Sequence, residues 1–206
     1  ESWKKVLEDW ASIEKDGLDL IQRENFLAHN RLIDDLLTFH RTVADALLLI
    51  GGSTHDGEEA ALADAYLRLR ARYPRLFLIL VPRHFERGKE VGRVLSARGI
   101  PYVYRREITA ATRLEPGAVQ SLIVNTTGEL KHFYKQATVI FVGKSLVGTG
   151  GQNPIEPGAL GKPMVFGPNM QNFREIAAAF VREGGAIQVE DAARLEQALE
   201  GLLADP

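Results

Sequence analysis

Apolar and polar positions follow two different rhythms along this chain of 206 residues. In the first 46 residues, apolar side chains return every three or four positions, which predicts helices that bury one stripe against a partner. From residue 47 onward, short continuous apolar runs alternate with longer amphipathic stretches. We therefore predict a short helical segment at 1–46, which includes Trp3 and Trp10, and a domain of strands and helices at 47–206.

Seven apolar runs of strand length mark the second region, and most of them lead into a helical pattern. They do not alternate with polar residues, which is typical of parallel strands buried on both faces. This pattern predicts an α/β fold, a Rossmann-like parallel sheet with helices on both faces and right-handed crossovers. The seven runs are ALLLIGG, LFLILVP, IPYVYRR, AVQSLIVN, TVIFVGKS, KPMVFGP and AIQVE.

The polar and glycine-rich segments of this region come directly after predicted strands. Parallel strands end at the same edge of a sheet, and ligands bind in the crevice outside that edge. We therefore expect one ligand site there. The segments that would build it are GSTHDGEE, VPRH, VNTTGE, VGKSLVGTGGQNPIEP and FGPNMQNF.

Two of these loops fit both a helix cap and a ligand contact. Ser53 or Thr54 can cap the next helix, or the same helix start can contact an anion or sugar, with His55 as a donor. Thr126 has the capping-box spacing to a glutamate three residues later, while the amides near Gly128 can instead meet a nucleobase or phosphate. The residues alone leave these alternatives open.

The segment GGQNPIEPGALGKP combines a helix cap with a possible binding site. Asn153 precedes Pro154, a favourable first helical residue, so Asn153 is expected to be the N-cap and Glu156 the third helical residue. Gly150 and Gly151 let the backbone approach a ligand closely. We expect a capped helix start that faces a phosphate, with Glu156 accepting hydrogen bonds from ribose hydroxyls.

Arg83 follows Pro82 at the end of the apolar run LFLILVP. An arginine at the carboxyl end of a strand can offer two parallel N–H donors to a phosphate. It can also pair with a nearby carboxylate on the surface, but its position at the strand end favours the phosphate role. The neighbouring His84 is a weaker candidate, because a lone histidine is more often structural than catalytic.

Composition limits the classes of function. The chain has no cysteine, which excludes disulfides, thiolate catalysis and cysteine-based metal sites. A formal net charge of −2 argues against a nucleic-acid partner. No apolar run approaches the roughly 20 residues that span a bilayer. The charged start, ESWKKVLEDW, is not typical of a signal peptide.

Four long segments occur in an order that resembles a known family: GSTHDGEE, LILVPRH, TTGELKHFYKQATVIFVGKSLV and GGQNPIEPGALGKPMVFGPNMQNFREI. They are similar to the carboxyl half of the 3-deoxy-D-manno-octulosonic acid (Kdo) transferases of lipopolysaccharide assembly, over about 47–206. The resemblance implies a GT-B glycosyltransferase, in which two Rossmann-like domains enclose the active site and the carboxyl domain binds CMP-Kdo. The family's usual mechanism needs no metal, and no cofactor is expected.

The resemblance also implies which residues contact the donor. The expected CMP contacts are Pro82, Arg83, Thr126, Thr127, Gly128, Asn153, Pro154, Ile155 and Glu156. Other matching motif positions near the donor are Ser53, Thr54, His55, Ser145, Gly150 and Gly151. Gln152 stands where the family often has histidine. No catalytic residue and no metal ligand is assigned within this chain.

The expected partners are CMP-Kdo or CMP and, through an amino-terminal domain that 1–46 does not resemble, a lipid A precursor. The family's proposed glutamate base and membrane anchor belong to that domain. We expect the full-length enzyme at the cytoplasmic face of the bacterial inner membrane, and this chain alone to be soluble, cytoplasmic and inactive in transfer. The alternatives are a non-catalytic nucleotide-binding or protein-interaction module on the same fold, or a GT-B donor domain for another nucleotide sugar.

Overall fold

The computed structural model describes residues 45–109, 111–114 and 117–204. The helices predicted within 1–46 lie outside the described residues, so the boundary at residue 46 stays a prediction. The short segment Ile108–Arg113 groups apart from the sheet. It contains a turn in which the amide of Thr112 donates to the carbonyl of Thr109 at 2.9 Å.

The main unit is a seven-stranded sheet in the order β3-β4-β2-β1-β5-β6-β7. Every paired strand runs parallel to its neighbour, which confirms the predicted α/β fold with a parallel sheet. The seven predicted apolar runs all form strands. Their bounds are β1 Leu47–Thr54, β2 Leu76–Pro82, β3 Tyr102–Tyr104, β4 Ser121–Ile123, β5 Val139–Val142, β6 Met164–Phe166 and β7 Ala186–Gln188.

Helices connect the strands. Within the described residues, every strand except β3 leads into an α-helix, as the alternating pattern predicts. The helices are α1 Glu58–Arg70, α2 Gly88–Ser96, α3 Leu130–Gln136, α4 Ile155–Ala159, α5 Arg174–Arg182 and α6 Ala192–Ala204. Short 3-10 turns lie at Phe85–Arg87, Arg105–Glu107 and Gln171–Phe173. No helix in the described ranges has the length and apolar character to cross a membrane.

The two faces of the sheet are covered by different helices. A Cβ on Gly51 would meet Leu62 of α1, and a Cβ on Gly52 would meet Tyr134 of α3. Successive residues of a strand point to opposite faces, so α1 and α3 lie on opposite sides of β1. On the α1 side, α6 completes the buried layer, and its fully or nearly fully buried leucines are Leu195, Leu199 and Leu203.

Strand order fixes where a ligand can bind. The chain runs from β1 to β2 on one side, and it later returns to place β5 on the other side of β1. The crevice outside the carboxyl ends of two such strands is the usual ligand site of an open parallel sheet. We call the space outside the ends of β1 and β5 the β1–β5 crevice.

Candidate functional site

The loops that the sequence selected lie side by side. They follow β4, β2, β1, β5 and β6, which are consecutive neighbours in the sheet. All five strands are parallel, so their loops emerge at one edge. The described residues contain no cluster of three or more histidine, aspartate and glutamate side chains suited to a metal ion.

A buried carboxylate, Glu58, holds the two central loops together. Its Oε1 accepts the amides of Ser145 and Leu146 at 2.9 and 3.0 Å. Its Oε2 accepts the amides of His55 and Lys144 at 2.9 and 2.8 Å. Burial raises the pKa of Glu58, and the four N–H donors oppose that rise. One side chain of α1 thereby fixes the loop after β1 relative to the loop after β5.

The start of the loop after β5 also contacts the backbone of the last residues of β1. The amide of Gly143 donates to the carbonyl of Gly52 at 2.8 Å. A Cβ at residue 143 would lie 2.3 Å from the carbonyl oxygen of Ser53, so only glycine fits there. Ser53 and Lys144 have φ angles of 52° and 54°, in the left-handed region. Such conformations cost non-glycine residues on the order of 1 kcal/mol, and the surrounding contacts must hold them.

Of the two alternatives for the loop after β1, the cap on α1 by Ser53 or Thr54 does not form. The N-cap residue of α1 is Gly57, and no side chain makes a capping hydrogen bond to the backbone there. Thr54 is still part of β1 and is fully buried, and its hydroxyl donates to Glu59 at 2.9 Å. Glu59 in turn accepts from Arg87 at 2.7 Å. The hydroxyl of Thr54 therefore supports the core of the site and has no surface to offer a ligand.

His55 lies half-buried at the crevice, among positive charges. Its Nε2 lies 3.3 Å from the side-chain nitrogen of Gln152, and its ring meets that of His84 edge-on at 6.2 Å between centroids. Burial lowers the pKa of His55, as do the charges of Lys144, His84 and two arginines, Arg87 and Arg83. The surroundings therefore favour the neutral form of His55, and the positive charges around it would attract an anion.

Two cations at this edge have no partner within the described part of the chain. Arg83 is exposed at the end of β2, and the side chain makes no hydrogen bond or ion pair there, while its backbone amide donates to Thr54. Lys144 is half-buried at the end of β5 and likewise makes no described side-chain bond. Sequence reasoning did not select Lys144, although the strand-end argument applied to Arg83 fits it equally well.

The capping box, one of the two alternatives for the loop after β4, does not form. The N-cap of α3 is Glu129, without a side-chain cap, and the Glu129 carboxylate accepts instead from Arg105 at 2.7 Å. The hydroxyl oxygen of Thr126 is buried and has no hydrogen-bond partner among the described residues. Thr127 and Gly128 are exposed, and Gly128 has a φ of 80°. Thr127 and Gly128 are therefore accessible, whereas the hydroxyl of Thr126 is enclosed, and the predicted nucleotide contact stays a prediction.

The helix after β5 begins one residue later than expected. Pro154 is the N-cap position and Ile155 the first residue of α4, so Glu156 is the second helical residue and not the third. Asn153 still has its expected capping role, because its side-chain oxygen accepts the amide of Ile155 at 2.9 Å. The side chain of Glu156 is exposed and makes no hydrogen bond within the described residues. It is therefore free to accept from a ligand.

Gly150 and Gly151 pack closely against the loop after β6, while their expected close approach to a ligand stays a prediction. A Cβ on Gly150 would lie 2.7 Å from the side chain of Asn172, and one on Gly151 would lie 2.6 Å from the sulfur of Met170. Both have positive φ angles, 110° and 74°. These glycines therefore let the loop after β5 pack against the loop after β6.

Ser145 connects the loop after β5 to the loop after β6 in the protein interior. It is fully buried, its hydroxyl donates to the carbonyl of Val142 at 2.5 Å, and it accepts the amide of Gly167 at 2.8 Å. Both bonds are internal to the protein, so the geometry favours a supporting role for Ser145 over direct ligand contact.

The chain is similar to curated and solved proteins. It is 36% identical over 174 residues to a 3-deoxy-D-manno-octulosonic acid transferase of Haemophilus influenzae, covering 84% of this chain and 39% of the relative. It is 38% identical over 159 residues to a transferase of the same name from Bordetella pertussis, covering 75% of this chain and 36% of the relative. No protein-family model matches the chain.

One solved structure has a similar fold over most of this chain. The carboxyl-terminal CMP-Kdo binding domain of WaaA from Acinetobacter baumannii has a TM-score of 0.74 and 28% identity. The match covers 85% of this chain and 91% of that domain.

Two further facts follow from the lengths of these matches. The chain spans less than half the length of the two curated relatives, 39% and 36%. The Haemophilus match, at 174 residues, is longer than the stretch from 47 to 206. The likeness to that relative therefore reaches into 1–46, which corrects the expected extent of the resemblance.

Proposed function

The chain belongs to the 3-deoxy-D-manno-octulosonic acid (Kdo) transferase family, and we propose that its sheet domain binds the CMP-Kdo donor of that reaction. One observation carries the proposal. Arg83 and Lys144, two cations without a counter-charge in the described residues, lie at the ends of β2 and β5, the two strands that flank β1. An anionic phosphate bound outside β1 would meet both.

In this proposal, each loop contacts one part of the nucleotide. Arg83 offers paired N–H donors to the phosphate and offsets the charge that grows on CMP as the bond to Kdo breaks. Asn153 holds the start of α4, and Glu156 accepts from the ribose. The loop of Thr126, Thr127 and Gly128 meets the nucleotide through its hydroxyls and amides.

We further propose that the full-length protein transfers Kdo to a lipid A precursor in lipopolysaccharide biosynthesis, at the cytoplasmic face of the bacterial inner membrane. Transfer needs a base to deprotonate the acceptor hydroxyl. In the proposal, that base, the acceptor site and the membrane contact belong to the amino-terminal part of the full-length relatives. The chain alone is expected to bind the donor without transferring sugar.

Titration calorimetry of the 206-residue chain with CMP, UMP and inorganic phosphate tests the donor proposal. CMP should bind more tightly than UMP. Arg83→Ala should weaken CMP binding roughly 10- to 100-fold, because a hydrogen bond to a charged group contributes about 1.5–3 kcal/mol. Arg182→Ala is the matched control, because Arg182 is an exposed arginine at the far end of α5 that pairs only with its neighbour Glu183 in the described structure.

Three results would contradict the proposal in different ways. Equal affinity for CMP and UMP would favour a donor domain for another nucleotide sugar. No nucleotide binding at all would favour a protein-interaction module. If Arg83→Ala binds CMP with unchanged affinity, Arg83 does not contact the phosphate.

A further inference from the structure

Tyr134 places a phenol hydroxyl at the β1–β5 crevice. The residue lies on α3 and is only 2% exposed. A Cβ built on Gly52 would lie 1.9 Å from the Tyr134 hydroxyl oxygen, so the hydroxyl fills the space above this glycine. Gly52 pairs with Val142, the last residue of β5. The hydroxyl therefore lies level with the last residue of β5 and two residues before the end of β1.

This hydroxyl makes no hydrogen bond within the described residues, whereas buried polar groups are normally paired. Tyr66, a second fully buried tyrosine, shows the usual arrangement. Its hydroxyl lies 3.1 Å from the carbonyl oxygen of Gln120, and it accepts from Arg70 at 2.5 Å. Among the described residues, the fully enclosed side-chain oxygens that lack a partner belong to Ser121 and Thr126, and the Tyr134 hydroxyl is not one of them. This hydroxyl is therefore not sealed in the core, and a group that enters the crevice can supply its partner.

Glu156 lies on α4, which packs against α3, the helix of Tyr134. Burial raises the pKa of Tyr134, and the negative charge of Glu156 raises it further. The phenol therefore stays protonated near neutral pH and can donate. Glu156 is itself without a hydrogen-bond partner in the described structure, as noted above. One unused donor and one unused acceptor thus lie on two helices that pack against each other.

A vicinal diol is the ligand group that fits such a pair, because each of its hydroxyls both donates and accepts. We propose that Tyr134 and Glu156 together bind the ribose diol of the nucleotide, with Tyr134 donating to a ribose oxygen and Glu156 accepting from a ribose hydroxyl. The proposal rests on the proposed function and deepens it. Its new element is Tyr134, a residue of α3 that is not among the expected donor contacts.

Four titrations of the 206-residue chain test this role: the unaltered protein and Tyr134→Phe, each with CMP and with 2′,3′-dideoxy-CMP. Tyr134→Phe removes only the hydroxyl. It should weaken CMP binding roughly 3- to 10-fold, the value of one neutral hydrogen bond, and leave dideoxy-CMP binding unchanged. Urea unfolding of Tyr134→Phe should match that of the unaltered protein, because no protein bond is lost.

Tyr66→Phe is the matched control, and it should show the opposite pattern. Its hydroxyl is paired inside the protein, so the variant should unfold at lower urea and bind CMP as before. Equal CMP affinity for Tyr134→Phe and the unaltered protein would overturn the inference alone. An equal loss with both ligands would also overturn it, since the hydroxyl would then act through packing. If the unaltered chain binds no CMP, the proposed function itself is wrong and the inference falls with it.

Discussion

Replacing Glu58 by glutamine tests whether one carboxylate holds the site together. The amide keeps a single acceptor oxygen, so two of the four backbone N–H groups would face an NH₂ group and lose their partner. Each buried donor without a partner costs about 1–3 kcal/mol. The neutral amide recovers part of the cost of burying a charge, so we expect a net loss of about 2–4 kcal/mol in the free energy of unfolding.

Urea unfolding followed by far-ultraviolet circular dichroism measures this loss. Glu90→Gln is the control, because Glu90 is an exposed residue whose pair with Arg87 is worth about 0–1 kcal/mol. Glu58→Gln should also weaken CMP binding, since the loops that carry His55 and Lys144 lose their common anchor. A stability loss below about 1 kcal/mol with unchanged CMP affinity would refute the anchoring role.

Two further predictions concern residues beside the anchor. Gly52→Ala should lower stability by about 1–3 kcal/mol, because its Cβ would collide with Tyr134, whereas Gly201→Ala on the open surface of α6 should not destabilise. An unchanged urea midpoint for Gly52→Ala would contradict this close contact. The pKa of His55 is lowered from 6.5, so the unfolded chain takes up a proton before the folded protein does. The free energy of unfolding that His55 contributes should be fully present above pH 6.5 and should be lost as the pH falls through the pKa of His55 in the folded protein. In His55→Gln, the free energy of unfolding should lack this fall with decreasing pH. Identical pH dependence in both proteins would show that His55 is not the group responsible.

The sequence predicts the sheet well because a strand that is buried on both faces is a continuous run of apolar residues. The run LFLILVP, which is buried at every position, is typical of a central strand. The strand-end rule likewise selected the loops that emerge at one edge, including the exposed Arg83. These features depend on local pattern and on a general rule of topology, and both are visible in one chain.

The sequence fails where distant segments decide a residue's role. Glu58 looks like an ordinary acidic residue in the first turn of a helix, yet it is fully buried. Its partners at 144–146 are more than 80 residues away, and only the β1–β5 pairing brings them close. The choice between capping and ligand contact at Thr54 and Thr126 stayed open for the same reason, since the capping motif describes local spacing and omits tertiary contacts. The packing role of Gly150 is also tertiary, because its neighbour Asn172 belongs to another loop.

The Glu58 anchor has a consequence for how the loops of the crevice open. Surface loops normally exchange their amide hydrogens with solvent through small local fluctuations that cost little free energy. The amides of residues 55 and 144–146 are bonded to a carboxylate that is itself part of α1. Their exchange should therefore be slow, and it should follow the cooperative opening of the central sheet and α1 instead of the motion of a free loop.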